Sequence, residues 1–256
     1  MQQLYDLLYG SIGLDAAEFI ILCGVSFLGS FITVALGIGG GILVLAIMAQ
    51  ILPPTVLIPV HGVVQLGSNA GRLALMWKDV LRTIIPYFLV GTILGAALGA
   101  KLVISLPTGL LQLILAVFIL YAVWVPKFKS SAPGNRSFFA VGFGASLATM
   151  FVGATGVLVS TFVSAACPDR HQYVATHAAL MTLQHGLKII AFGTLGFAFG
   201  PYVPLLAALI IFGYMGTWIG KHVLLRVPER AFRIGLKIIL TLLAGRLMYV
   251  AALDFT

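Results

Sequence analysis

The stretch that decides the fold is residues 19–52, which read FIILCGVSFLGSFITVALGIGGGILVLAIMAQIL. It contains no charged side chain, and the run GIGGG at residues 37–41 interrupts it. A membrane-spanning helix needs about 20 mostly apolar residues, and glycine weakens the interior of a helix. The stretch therefore predicts a membrane helix that is broken at its glycines.

The composition of the 256-residue chain places the rest of it in a membrane as well. Hydrophobic residues make up 61% and charged residues 9%, against about 25% charged residues in an ordinary soluble domain. The apolar runs are long and lack the alternation of barrel strands, so we expect an all-α integral membrane protein. The formal net charge of +8 lies mostly in loops, where it orients a membrane protein, so nucleic acid is not an expected partner.

Apolar runs long enough to span a bilayer follow in both halves of the chain. They are residues 56–76, 84–105, 109–125, 173–196, 203–225 and 231–252. A second broken segment, residues 138–166, is interrupted by GATG at residues 153–156. A basic stretch at residues 127–137 separates the halves, so we divide the chain into a first repeat (1–126), this linker and a second repeat (138–256).

The two repeats carry similar residues in the same order. His61, Gln65, Asn69 and Arg72 align with His177, Met181, His185 and Lys188, 116 positions later. Gly95 and Gly99 align with Gly216 and Gly220, 121 positions later. Several matches in order indicate an internal duplication. The four glycines also have a simpler interpretation, since small residues four apart allow close helix packing.

The topology depends on whether the two broken segments cross the membrane. If both cross, the halves are parallel and the basic loops fall on both sides. If both are re-entrant, the halves are inverted, the loop lysines and arginines all face the cytoplasm, and both termini face the periplasm. The positive-inside rule favours the inverted arrangement. We therefore predict two inverted repeats, each a glycine-broken re-entrant or half-helix segment plus three transmembrane helices. Whether residues 19–52 span the membrane stays open.

Two spans carry a polar stripe that predicts a site. Residues at a helical spacing share one face, and polar groups inside a membrane face the bundle interior or a water-filled cavity. The stripe residues predicted to bind substrate are Gln65, Asn69, Arg72, Gln184, His185 and Lys188. His61 and His177 lie nearer the helix ends, so we assign them gating or structural roles.

The glycine breaks supply the second part of the predicted site. A half-helix that begins inside the membrane presents unpaired N–H groups and the positive end of its dipole. Transporters with broken helices use such ends to hold anionic groups. The residues expected to contribute are Gly39, Gly40, Gly41, Gly153, Thr155 and Gly156. None of the seven acidic residues falls near a span centre, so the pattern favours an anion over a cation.

With GIGGG, the duplicated layout, the polar second helix of each half and Pro53-Pro54 before it, the sequence resembles the TauE/SafE family of sulfite and organosulfonate exporters. The resemblance covers nearly the whole chain. It implies a multi-pass carrier of small sulfur-containing oxyanions in the bacterial inner membrane. The HExxH, GxGxxG and P-loop motifs are absent from the sequence, so we expect a protein that is not an enzyme and has no cofactor or metal.

Three functions remain as hypotheses at this stage. The first is a secondary transporter of sulfite or an organosulfonate that works by alternating access, with protons, through His185, as one coupling ion to consider. The second is an intramembrane serine hydrolase that uses Ser146 and a histidine. The third is a non-transporting membrane subunit. A homo-oligomer is compatible with each of them, and the sequence does not give the direction of transport.

Overall fold

A computed structural model describes residues 12–36, 39–125, 133–167, 169–223 and 229–254. Every regular element in these ranges is helical, as the composition predicts. The α-helices are α1 Ala16–Leu36, α2 Gly40–Ile51, α3 Pro54–Met76, α4 Ile85–Val103, α5 Thr108–Trp124, α6 Ser137–Val152, α7 Gly156–Ala166, α8 Arg170–Thr194, α9 Val203–Val223 and α10 Glu229–Leu253.

Each predicted broken segment is a hairpin of two helices. Gly39 and Gly153 have φ angles of 108° and 74°, in the left-handed region that glycine adopts without a Cβ penalty. A Cβ atom on Gly40 would run into the carbonyl oxygen of Gly29, so α2 folds back closely onto α1. In the second half, Thr155 Oγ1 donates to the Ala145 carbonyl at 3.1 Å, which brings the start of α7 beside α6.

Each repeat supplies a helix that packs in parallel along a helix of the other repeat. Helix α4 packs against α6, and α9 packs against α1. Both contacts are made through glycine: a Cβ atom on Gly95 would meet the Phe143 carbonyl oxygen, and one on Gly216 would meet that of Phe27. One turn further on, Gly99 and Gly220 make the corresponding approaches to α6 and α1. The packing interpretation of these four glycines is thus confirmed.

The two polar helices, α3 and α8, pair at the centre and run antiparallel. A Cβ atom on Gly62 would meet the Lys188 side chain near one end of the pair. At the other end, the Leu81 amide beyond α3 donates to Thr176 Oγ1 at 2.9 Å. Helices α5 and α10 also pack together, and Trp124 Nε1 donates to Thr241 Oγ1 at 2.9 Å. The pairing of α3 with α8 places their polar stripes inside the bundle.

Four helical stretches among the described residues are long and apolar enough to cross a membrane: Ala16–Thr33, Arg82–Val103, Gly200–Gly220 and Ile234–Leu253. Helices α3 and α8 have 23 and 25 residues, enough to span a bilayer, but their polar stripes make them less apolar. Large apolar side chains cover the outer surface; Leu242 and Ile190, for example, are 68% and 62% exposed. The GIGGG residues 37–38, most of the predicted linker (127–132) and the predicted span end at 224–225 lie outside the described residues.

Candidate functional site

Both glycine turns and both polar helices meet around a small cavity. Its volume is about 70 Å³. The turns contribute Gly39 and Gly41 from the first half and Ala154 and Gly156 from the second. The two polar helices contribute Gln65, Asn69, Arg72, His177, Met181 and His185. The cavity therefore lies between the N-terminal ends of α2 and α7, where backbone N–H groups and helix dipoles favour negative charge.

A larger cavity of about 740 Å³ adjoins the small one. The two share Thr33, Gly41, Gln65 and Arg72 in their linings. The larger cavity lies among α1, α2, α3, α8 and α9 and reaches Arg170 at the start of α8. Its volume falls within the roughly 300–1,000 Å³ of typical ligand pockets.

A histidine on each polar helix holds the first turn of a half-helix. His61 Nε2 lies 3.1 Å from the Gly41 carbonyl oxygen, and His177 Nε2 lies 3.0 Å from that of Gly156. A carbonyl oxygen only accepts, so Nε2 donates in both bonds. These matched contacts fix α2 and α7 against α3 and α8. They are compatible with the gating or structural role predicted for both histidines.

The α3 stripe presents free hydrogen-bonding capacity toward the cavities. Arg72 donates to the Ser68 carbonyl oxygen at 3.2 Å and to Ser68 Oγ at 3.1 Å. A guanidinium has five N–H donors, so three make no bond to the residues that the structure describes. Asn69 Nδ2 donates to the Gln65 carbonyl oxygen at 2.8 Å, while its Oδ1 is buried and has no partner among the described residues. Within the same part of the chain, His185 Nδ1 on the opposite helix is also buried and unpaired.

Two residues in the C-terminal half of the α8 stripe, Gln184 and Lys188, bond the turn between α6 and α7 and do not line the cavities. Lys188 is fully buried, and its Nζ donates to the Gly153 carbonyl oxygen at 2.9 Å. A cation at this position interacts favourably with the C-terminal end of α6. Gln184 Nε2 donates to Thr155 Oγ1 and to the Ala145 carbonyl oxygen. Arg72 and Lys188, which match in sequence, therefore differ in exposure to the cavities.

The predicted site residues thus fall into two groups. Those that line one or both cavities are Gly39, Gly40, Gly41, Gln65, Asn69, Arg72, Gly156, His177 and His185. Those that line neither are His61, Gly153, Thr155, Gln184 and Lys188.

Three residues with hydroxyl groups line the cavities beside Arg72 but were not among the predicted site residues. Thr33 and Ser160 line the small cavity and Tyr173 lines the larger one, and Arg72 lines both. Tyr173 lies one helical turn before His177, so extending the α8 stripe by one turn finds it. Thr33 lies on α1 at helical spacing from Ser26 and Ser30, so a stripe of hydroxyl groups also marks this helix. Ser160 lies on α7, a short and mostly apolar half-helix.

The site combines hydrogen-bond donors with positive charge. Arg72 and Arg170 line the larger cavity, and neither cavity has an aspartate or glutamate in its described lining. In the part of the chain that the structure describes, no three histidine, cysteine, aspartate or glutamate side chains cluster as a metal site would require. Such an arrangement is chemically suited to a compact oxyanion.

The buried position of Ser146 bears on the hydrolase hypothesis. Its side chain is 0% exposed, and its Oγ has no hydrogen-bond partner among the described residues. A serine nucleophile needs a base within hydrogen-bond reach. The geometry therefore does not favour a hydrolase.

The fold and the site define a multi-pass helical membrane protein with a polar, positively charged cavity between two broken helices. The family described as "Sulfite exporter TauE/SafE" matches residues 22–247, and the chain belongs to this family. The resemblance noted in the sequence is therefore confirmed, and with it a role in membrane transport. No curated protein and no solved structure matches the chain.

Proposed function

We propose that the chain is a secondary carrier that exports a small sulfur-containing oxyanion, such as sulfite or an organosulfonate, across the bacterial inner membrane. The observation that carries this proposal is the small cavity where the N-terminal ends of α2 and α7 meet beside Arg72. Anions are favoured at such helix ends, and broken-helix transporters place their substrate there.

The two cavities suit different parts of the substrate. A water molecule takes up about 30 Å³ in the liquid, so the 70 Å³ cavity has room for a compact oxyanion head. The unpaired Asn69 Oδ1 requires a donor, which a protonated oxyanion or a bound water supplies. An organic tail would extend past Gln65 and Arg72 into the larger cavity.

The same proposal includes two inverted repeats with re-entrant broken segments. The reciprocal packing of α4 on α6 and of α9 on α1 supports this arrangement, and so does the antiparallel pairing of α3 with α8. The loop that carries Lys78 and Arg82 lies at the Thr176 end of α8. With the basic loops in the cytoplasm, both termini face the periplasm and the larger cavity opens toward the cytoplasm.

Transport then occurs by alternating access, with one repeat rocking against the other. His185 is the proposed site of proton coupling, because it lines the small cavity with an unpaired Nδ1. A protonated imidazole would attract a bound oxyanion, so substrate and proton would bind together.

A ligand panel in detergent tests the proposal. The purified protein is heated with sulfite, thiosulfate, sulfate, taurine or sulfoacetate, and the midpoint of unfolding is recorded. A ligand that binds only the folded state raises this midpoint with its concentration. We expect sulfite or a sulfonate to do so more than sodium chloride of equal ionic strength. No shift with any of these sulfur compounds would contradict the proposed substrate class.

A further inference from the structure

The contacts described above fix the register between the two halves of the molecule. The matched glycine contacts relate α1 to α6 by 116 positions and α9 to α4 by 121 positions. The matched histidine bonds relate α3 to α8 by 116 positions, and their acceptors, Gly41 and Gly156, relate α2 to α7 by 115 positions. Each residue of the open, larger cavity can therefore be assigned a counterpart in the other half.

Part of the polar lining of the larger cavity has a polar but buried counterpart, whereas Gln65 and Tyr173 correspond to the apolar residues Met181 and Leu57. The lining residues compared are Ser26, Ser30, Thr33, Ser68, Arg72 and Gly213. Their counterparts are, in the same order, Gly142, Ser146, Thr149, Gln184, Lys188 and Thr92. Ser30 and Thr33 of α1 recur as Ser146 and Thr149 of α6, whereas the counterpart of Ser26 is Gly142.

Every one of these counterparts is buried. Thr92, Ser146 and Thr149 are each 0% exposed, and none of their hydroxyl oxygens has a hydrogen-bond partner in the described part of the chain. The Gln184 side-chain oxygen is buried there and has no partner among the described residues either. Buried polar groups are nearly always hydrogen-bonded, so several unpaired ones in one region require an explanation.

We infer that Thr92, Ser146, Thr149, Gln184 and Lys188 line a second vestibule, closed in this structure, which opens on the opposite face of the membrane. The inference rests on the proposed alternating-access carrier. In the open form, water and the oxyanion satisfy the hydroxyl groups that are now unpaired. Lys188 then faces the anion path as Arg72 does here.

The contacts that keep the second vestibule closed are visible in the structure. Lys188 donates to the Gly153 carbonyl oxygen, and Gln184 donates to Thr155. These bonds hold α8 against the turn between α6 and α7. The glycine contact of Gly95 with Phe143 joins α4 to α6, so these two helices move together away from α8 when the vestibule opens.

Cysteine labelling tests the inference. Buried Cys23 and Cys167 are first replaced by alanine, and Ser146→Cys or Thr149→Cys is then introduced singly. A membrane-impermeant thiol reagent is added outside cells whose outer membrane has been permeabilised. Val163→Cys is the control, because Val163 is 0% exposed and its counterpart, Met48, is buried in the core. Ser30→Cys, labelled from the cytoplasmic side of inverted vesicles, is the reference for an open vestibule.

A minor conformation is typically populated at about 0.1–10%, so we expect Ser146→Cys and Thr149→Cys to react at about that fraction of the Ser30→Cys rate. Val163→Cys should react more slowly than either. If both react no faster than Val163→Cys while Ser30→Cys reacts readily, the second vestibule is refuted. Flux of sulfite and of sulfoacetate in the parent separates the two proposals: labelling without flux of either compound refutes the carrier alone, and flux without labelling refutes the vestibule alone.

Discussion

Replacing Arg72 by glutamine should weaken oxyanion binding without unfolding the protein. Arg72 uses two of its five donors on Ser68, and its side chain lines both cavities. Glutamine keeps polarity but removes the charge and most of these donors. One lost hydrogen bond to a charged group is worth about 1.5–3 kcal/mol. The dissociation constant should therefore rise by about 10- to 150-fold.

Isothermal titration of sulfoacetate into the detergent-solubilised protein measures this change. Arg72→Lys keeps the charge but loses the planar fork, so its affinity should fall between those of the parent and Arg72→Gln. Arg246→Gln is the matched control, because Arg246 is exposed and bonds Gln50 at a distance from both cavities. Equal affinity in the parent and Arg72→Gln would refute the role of Arg72 in binding.

Three further outcomes are expected. Gly95→Ala and Gly216→Ala should each destabilise the protein by about 1–3 kcal/mol through overpacking. Gly144 has open space around it, so Gly144→Ala should stabilise the protein by about 0.5–1 kcal/mol. Unfolding midpoints that do not follow this order would contradict the helix contacts. Asn135→Cys should react with an impermeant reagent only from the cytoplasmic side, and labelling from the periplasm would exclude the inverted topology. Sulfoacetate affinity should rise as the pH falls from about 7 to 5 in the parent and stay flat in His185→Gln; equal profiles, recorded by titration, would remove His185 as the coupling site.

The helices and their breaks could be predicted because they depend on local patterns. Long apolar runs and the glycines at residues 39 and 153 determine where helices form and where the chain turns. The predicted span 56–76 corresponds to helix Pro54–Met76, and the segment 138–166 to the hairpin of α6 and α7. The family resemblance rested on the same features.

The unequal roles of Arg72 and Lys188 could not be predicted, because they depend on tertiary packing. The two residues match in sequence, but only Arg72 lines a cavity, whereas Lys188 binds the Gly153 carbonyl oxygen. A helical stripe gives the direction of a side chain but not which neighbour closes over it. Thr33 and Ser160 were not predicted because a hydroxyl group in a helix often bonds a carbonyl of its own helix. Thr33 does so with Gly29 and Ser160 with Val157, and the sequence alone does not show that they also line a cavity.

The central claim is that this chain carries a sulfur oxyanion across a membrane, and the most direct test is sulfite flux in proteoliposomes. Vesicles containing the purified protein are loaded with labelled sulfite, diluted into sulfite-free buffer and sampled over time. We predict efflux that exceeds that of protein-free vesicles, that saturates with sulfite and that falls in Arg72→Gln but not in Arg246→Gln. Efflux equal to that of protein-free vesicles, with sulfite and with sulfoacetate alike, would contradict it.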